Sequence, residues 1–146
     1  MQTADWQELA TTSPYHVALA VRDVLQEGNV ENAMLGLEEL IDALSRSDRR
    51  ALESHLTRLM THVIKWKIQP ERRSRSWRNT IVNARTAITR LQRQVPSLTR
   101  SVMEEEWDEL IEIARRDAEG ETNRDIPSLS LTWQEVFEDE YRLEIV

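Results

Sequence analysis

The clearest helical pattern in the chain lies in residues 52–66, LESHLTRLMTHVIKW. Its apolar residues recur at helical spacing, in the order Leu52, Leu56, Leu59, Val63 and Trp66. At about 3.6 residues per turn, this spacing places all of them on one face of an α-helix. We expect this helix to end at Gln69, because the residue before Pro70 avoids the helical region.

The segments on either side of this stretch also predict helices. The same spacing recurs downstream in Trp77, Ile81, Ala84, Ile88 and Leu91. Pro96 marks the end of that helix. Upstream, Ser13 and Pro14 form an N-cap and a first helical position, and Gly28 supplies a stop.

Between Gly28 and Leu52 we predict a second helix capped by Asn29. Its apolar residues form one predicted core stripe: Ala33, Leu37, Leu40, Ile41 and Leu44. The stretch from Ser45 to Ser47 fits either a brief break or a continuous, kinked helix.

The last third of the chain predicts two more helices. Ser97 is the expected cap of a fifth helix, which Gly120 closes. Residues 121–130 lack periodicity and predict a loop. Thr132 and Glu135 then form a capping box for a short helix through Phe137.

These patterns predict an all-α fold, a compact single-domain bundle of five to six helices. We expect one domain over residues 1–146, with its core in about 14–120 and a loop plus a short C-terminal helix in 121–146. Amphipathic helices in this number bury their apolar stripes against one another. The chain has no cysteine, which excludes disulfides, zinc–thiolate sites and a cysteine nucleophile. It has only three glycines, which disfavours a glycine-rich phosphate loop.

The location of the protein is predicted from its N-terminus and its apolar runs. The N-terminus has no positively charged segment followed by a long apolar run, as a secretory signal would. The longest apolar stretches are too short to cross a bilayer. We therefore expect a cytoplasmic protein that does not enter the membrane.

The net charge of the chain is −7, and its acidic and basic residues lie in separate segments. Nine basic residues against Glu71 alone lie between Lys65 and Arg93, and both ends of the chain are acidic. The basic residues either pair with acidic helices inside the fold or form an anion-binding corner between two helices. The candidate anion-binding residues are Lys65, Lys67, Arg72, Arg73, Arg75 and Arg78.

Aromatic residues interleaved with this basic segment are typical of single-stranded nucleic-acid binding. Trp66 and Trp77, however, continue the apolar stripes, so we interpret them as core anchors. Trp6 and Trp133 are the tryptophans that we expect at the surface.

No motif for catalysis or metal binding is recognisable. His55 and His62 lie seven residues apart on one helix, too far along its axis for a single metal ion. A site built on His62 would need acids such as Glu38, Glu39 and Asp42. We predict no metal and no cofactor.

The run from His62 to Trp66, followed by residues 69–77 (QPERRSRSW), Ile81, Arg85 and Ile88, resembles a family of uncharacterised bacterial proteins abundant in cyanobacteria. This is the domain-of-unknown-function family number twenty-nine. The resemblance implies a compact, all-helical fold and no particular activity. The family-like polar residues are Glu39, His62, Lys65, Arg75, Ser76 and Arg85. They form either a functional cluster or a buried network that joins the helices.

Three functional hypotheses follow. The first is a protein-interaction module with a basic corner, which binds another protein or a second copy of itself. The second is binding of nucleic acid or another anion at Lys65–Arg78, which the acidic net charge disfavours. The third is a metal-assisted enzyme that uses His62 and acids of the second helix.

Overall fold

A computed structural model describes residues 3–144, with side chains from residue 5 onward. The described chain contains six α-helices and no strand. The helices are α1 (Thr3–Thr12), α2 (Pro14–Gln26), α3 (Val30–Ile68), α4 (Arg75–Gln94), α5 (Arg100–Glu105) and α6 (Trp107–Thr122). A 3-10 turn occupies Pro70–Arg72 and a π-helical turn occupies Gln134–Glu138. The all-α prediction is confirmed. Within the described part of the chain, no helix is both long and apolar enough to cross a membrane.

The chain divides into two compact units, and each is described by itself. Unit 1 is Met1–Arg50 and unit 2 is Ala51–Val146. Helix α3 contributes residues to both. The single domain that the sequence predicts over residues 1–146 stays a prediction.

The core of unit 1 forms around Trp6, which lies on α1. Its side chain is fully buried, together with Ala10, Val17 and Ala43. Its indole Nε1–H donates to Asn32 Oδ1 at 2.9 Å. The expectation that Trp6 lies at the surface is therefore wrong. The short helix α1 has no apolar stripe long enough to reveal its buried face.

The predicted ends of α2 are confirmed. Ser13 Oγ accepts a hydrogen bond from the His16 amide at 3.3 Å, and Pro14 is the first helical residue. Gly28 adopts a φ of 87°, a left-handed conformation that glycine accepts at little cost. Asn29 Oδ1 accepts from the Asn32 amide at 3.2 Å and caps α3 as predicted.

Of the two possibilities for Ser45–Ser47, the structure shows the continuous helix. Neither glycine nor proline occurs between Gly36 and Pro70. Serine lowers helix stability by only a few tenths of a kcal/mol relative to alanine. The local sequence therefore gives α3 no reason to stop.

The predicted core stripe of the second helix is largely wrong. Leu37, Ile41 and Leu44 are exposed by 38%, 57% and 48%. The buried face instead carries small residues, Ala33, Gly36 and Ala43, with the half-buried Leu40 beside them. Small side chains allow Trp6 to approach the backbone of α3 closely, and this contact selects the buried face.

The core of unit 2 confirms the predictions made for residues 52–91. Every member of the 52–66 stripe is at most 4% exposed. Ile81, Ala84 and Ile88 of α4 and Leu110, Ile111 and Ala114 of α6 join the same cluster. Trp77 and Leu91 are half-buried at its edge.

The predicted fifth helix is two helices. Thr99, not Ser97, is the cap, because Thr99 Oγ1 accepts from the Val102 amide at 3.4 Å. The helical path is interrupted at Glu106, which separates α5 from α6. Helix α6 passes Gly120 and ends at Thr122, and its C-cap Asn123 has a left-handed φ of 54°. Asparagine tolerates this conformation better than most residues with a side chain.

The capping box in the C-terminal segment is confirmed. The Thr132 amide donates to Glu135 Oε1 at 3.0 Å, and the Glu135 amide donates to Thr132 Oγ1 at 3.1 Å. The turn that follows is π-helical. Trp133 is half-buried and stacks on Trp107 at 5.5 Å, so it is not the free surface group that we expected.

Candidate functional site

Helix α4 concentrates positive charge on one molecular surface. Its 20 residues include five arginines and no acid. Arg75, Arg78 and Arg85 lie within about 80° of one another around the helix axis, beside the buried face that carries Ile81. The amphipathic sequence that builds the core therefore also fixes the direction of these cations.

A cleft lies along this arginine face. Its volume is about 550 Å³, and the C-terminal segment Glu140–Leu143 forms part of its wall. Four arginines line it: Arg75, Arg78, Arg85 and Arg142. The other lining residues are the acidic Glu140 and four apolar or aromatic side chains: Ile81, Val82, Tyr141 and Leu143. We call this the arginine cleft.

Arg85 is the fixed member of the arginine cleft. Its Nε donates to the Val136 carbonyl at 2.8 Å, and its Nη2 donates to the Glu135 carbonyl at 3.4 Å. The guanidinium carbon lies 5.6 Å from the centre of the Tyr141 ring. Burial lowers the pKa of Arg85, and the charge of Asp139 opposes this shift. These contacts tie α4 to the C-terminal segment.

Tyr141 is held in the same place. Its hydroxyl donates to the Glu135 carbonyl at 2.5 Å, and its ring packs edge-on against Trp66 at 5.7 Å. Burial, together with the nearby negative charges of Asp139 and Glu135, raises the pKa of Tyr141 to about 12. The phenol therefore stays neutral at physiological pH.

Arg75 and Arg78 are the available cations of the arginine cleft. Both side chains are exposed. Among residues 5–144, no acidic side chain forms an ion pair with either of them. Arg142 differs, because it pairs with the neighbouring Glu140. The two α4 arginines are thus free to bind a carboxylate or phosphate.

A smaller groove continues along α4. Its volume is about 350 Å³, and it is lined by Arg85, Thr86, Thr89, Arg90 and Arg93. Because Arg85 lines both cavities, positive charge extends along most of the helix.

The structure places the six residues of the predicted anion-binding corner in three different settings. Lys65 is 8% exposed, lies 3.4 Å from Glu121 and sits 4.7 Å from the centre of the Trp77 ring. Lys67 pairs with Glu135.

Arg73 belongs with these internal contacts. Its Nε donates to the Trp66 carbonyl at 2.8 Å, and its guanidinium lies 5.1 Å from the Trp66 ring. Arg72 is exposed and lines a separate cavity of about 680 Å³ beside Lys65. Of the six predicted cations, therefore, Arg75 and Arg78 reach the arginine cleft, and Lys65, Lys67 and Arg73 hold unit 2 together.

The five family-like polar residues that belong to unit 2 do not form one cluster. Arg75 and Arg85 line the arginine cleft, whereas Ser76 is exposed at the start of α4. Glu39 is half-buried in unit 1 and the other five belong to unit 2. Arg85 binds main-chain carbonyls of the C-terminal segment.

His62 lies one helical turn before Lys65 on α3. Its Nδ1–H donates to the Arg58 carbonyl at 2.9 Å. Burial lowers the pKa of His62, and the hydrogen bond to Arg58 opposes that shift. No three histidine or acidic side chains in the described part of the chain are grouped so that they could hold a metal ion.

The sequence analysis missed a network of arginine–carboxylate contacts on α6. Arg115 lies 2.7 Å from both Glu112 and Glu119 and also donates to the Ile126 carbonyl. The hydrogen bond from Arg115 lowers the pKa of Glu112 to about 2. Spacings of three and four residues on one helix are the signal that would have revealed this network.

Comparison with known proteins places the chain in a family. The sequence profile of the family described as Domain of unknown function DUF29 matches residues 20–142. The chain belongs to the DUF29 family. No curated protein and no solved structure matches it.

The region that matches the DUF29 profile includes nearly all residues of the arginine cleft. It begins within α2 and runs through all of α4. It also includes Tyr141 and Arg142, the C-terminal residues that the sequence analysis did not single out. The arginine cleft is therefore, apart from Leu143, made of residues within the matched region.

Proposed function

We propose that this DUF29 chain is a protein-interaction module that binds an acidic segment of a partner protein in the arginine cleft. The observation that carries the proposal is the composition of one cavity, which combines four arginines and a single acid, Glu140, with four apolar or aromatic side chains. Arginine binds carboxylates in a directional, bidentate manner. The apolar lining adds affinity for side chains that flank those carboxylates.

The same cavity favours a peptide over a nucleic acid. Binding of single strands without sequence preference depends on exposed aromatic rings on which bases stack. Trp66 is 4% exposed, and Lys65 lies over the ring of the half-buried Trp77. The net charge of −7 also repels a long polyanion outside the arginine face.

A binding assay with three probes tests this function. The probes are a fluorescein-labelled peptide of alternating glutamate and leucine, an oligothymidylate of equal charge, and inorganic phosphate as a competitor. We expect the peptide to bind more tightly than the oligonucleotide. Phosphate at low concentration should displace neither, because a single anion does not fill the cavity.

The variant for this assay is Arg75→Glu with Arg78→Glu. Its matched control is Arg46→Glu with Arg50→Glu, which makes the same charge change at exposed positions of unit 1. We expect the cleft variant to lower peptide affinity by at least about tenfold, or about 1.4 kcal/mol. The control should change it by no more than about twofold.

Three results would refute the proposal. Tighter binding of the oligonucleotide would favour a nucleic-acid module. An equal loss in both variants would show that only the net charge matters. An unchanged affinity in the cleft variant would show that the peptide binds elsewhere.

A further inference from the structure

The outer face of α3 in unit 1 carries a row of exposed apolar side chains. They are Val30, Met34, Leu37, Ile41 and Leu44, with exposed fractions between 38% and 57%. Their intervals of four and three residues are those of the contact seam of a coiled coil. Isolated exposed apolar residues are ordinary on a protein surface, but a continuous row of five marks a binding surface. We call this row the exposed stripe.

The two borders of the exposed stripe differ. On one side lie Ala33 and Leu40, which turn toward the interior of unit 1. On the other side lie Glu31, Glu38 and Asp42, at about 100° to 140° from Leu37 around the helix axis. All three acids are exposed. The exposed stripe therefore has one acidic edge along its whole length.

We propose that the exposed stripe binds a basic amphipathic α-helix of a partner protein. The apolar face of that helix would cover the stripe, and its lysines or arginines would lie against Glu31, Glu38 and Asp42. Helices that dock in this way place residues at intervals of three and four on a matching apolar surface. The proposal is independent of the arginine cleft, because the exposed stripe lies in unit 1 and its partner is basic, whereas the partner of the cleft is acidic.

Charge decides between this partner and a second copy of the chain. The first 44 residues contain eight acids and a single basic residue, Arg22. In an antiparallel pair of exposed stripes, the glutamates of the two copies would face each other. In a parallel pair, Glu38 would lie near Leu40 of the other copy. Neither arrangement supplies the cation that the acidic edge requires.

The test uses the full chain and a synthetic peptide as the probe. The peptide is a labelled amphipathic helix with leucine on one face and lysine on the other. A second peptide carries glutamate in place of lysine, and a third has the lysine–leucine composition in scrambled order. We expect fluorescence anisotropy to show binding of the first peptide, at least about tenfold tighter than either of the others.

The variants distinguish binding at the exposed stripe from attraction of the basic peptide to the net negative charge of the chain. Ile41→Lys places a cation in the middle of the exposed stripe, and Ile113→Lys makes the same change at a residue of α6 with 42% exposure. We expect at least about tenfold weaker binding for Ile41→Lys and no more than about twofold for Ile113→Lys. Met34→Lys repeats the test at a second exposed position, and circular dichroism verifies that each variant is folded.

Glu38→Gln tests the acidic edge by itself. We expect a smaller loss of affinity than for Ile41→Lys, together with a weaker dependence of binding on salt. An unchanged salt dependence would refute the role of this edge.

Other outcomes would overturn the proposal as a whole. The exposed stripe is not the binding surface if Ile41→Lys and Met34→Lys both bind like the wild type. Equal binding of the scrambled peptide would show attraction without helical recognition. If sedimentation shows a wild-type dimer that Ile41→Lys converts to a monomer, a second copy occupies the exposed stripe instead.

Discussion

The contact between Trp6 and Gly36 makes a sharp prediction about stability. A Cβ atom added at Gly36 would lie 2.7 Å from two ring carbons of Trp6 and 2.8 Å from a third. These distances are well inside van der Waals contact. The ring cannot withdraw freely, because it is fully buried and its Nε1–H is bonded to Asn32. Gly36→Ala must therefore displace the indole or the helix.

The expected change in the free energy of unfolding for Gly36→Ala follows from two opposing effects. Replacing glycine by alanine within a helix stabilises it by about 0.5–1 kcal/mol. Overpacking of a well-filled core costs about 1–3 kcal/mol. Gly120 of α6 is the matched control, because a Cβ atom there meets no atom within 4 Å. We expect the change in the free energy of unfolding to be about 1–3 kcal/mol less stabilising for Gly36→Ala than for Gly120→Ala.

Hydrogen exchange measures this difference in the unit where each substitution lies. Amides of α1 and of residues 30–50 report on unit 1, and amides of α6 report on unit 2. Urea unfolding followed by circular dichroism gives the corresponding values for the whole chain. A Trp6→Leu background supplies the double-mutant cycle, in which Gly36→Ala should lose most of its unfavourable effect.

Two results would contradict this reasoning. Gly36→Ala could stabilise unit 1 as much as Gly120→Ala stabilises unit 2, which would show that Trp6 does not pack on Gly36. Alternatively, the effect of Gly36→Ala could be the same with Trp6 and with Leu at that position. In that case its origin would lie elsewhere in α3.

Two further predictions concern pH. Because the pKa of His62 is lowered from 6.5, the folded state resists its protonation, so stability should fall as pH drops from 6.5 through the lower folded pKa. His62→Gln should flatten that fall in urea titrations between about pH 7.5 and 5, and a pH profile identical to that of the wild type would refute the assignment. The pKa of Glu135 is lowered, above all by the hydrogen bond from Lys67. The ionised Glu135 therefore stabilises the fold above pH 4.5, and this stabilisation is lost as the pH falls through the folded pKa. Glu135→Gln keeps the capping partner of Thr132 but not the charge, so it should lose less stability on acidification than the wild type and, at neutral pH, unfold more easily than the wild type but less easily than Glu135→Ala.

Sequence periodicity predicted the helices and most of the core of unit 2. The 52–66 stripe and its counterpart in α4 repeat at helical spacing over several turns, so each has one apolar face that must be buried. The same reasoning placed Trp66 in the core. It failed for Trp6, since α1 is short and its burial depends on the small residues of α3.

The candidate site was predictable in composition but not in arrangement. The basic segment was evident from the sequence, and Arg75 and Arg78 belong to both the predicted corner and the arginine cleft. A linear pattern does not show that Lys65 pairs with Glu121 or that Arg73 binds the Trp66 carbonyl. Nor does a linear pattern show that Tyr141 and Arg142 line the same cavity as residues of α4.

The amino-acid sequence by itself determined the fold class, the caps at Ser13 and Thr132, and the two long apolar faces of unit 2. These depend on interactions between residues close in the chain, so spacing and residue type suffice to predict them. Tertiary structure alone decided which face of α3 is buried in unit 1 and which arginines of unit 2 remain available for binding. Those choices depend on contacts between residues far apart in sequence, such as Trp6 with Gly36 and Arg85 with Val136.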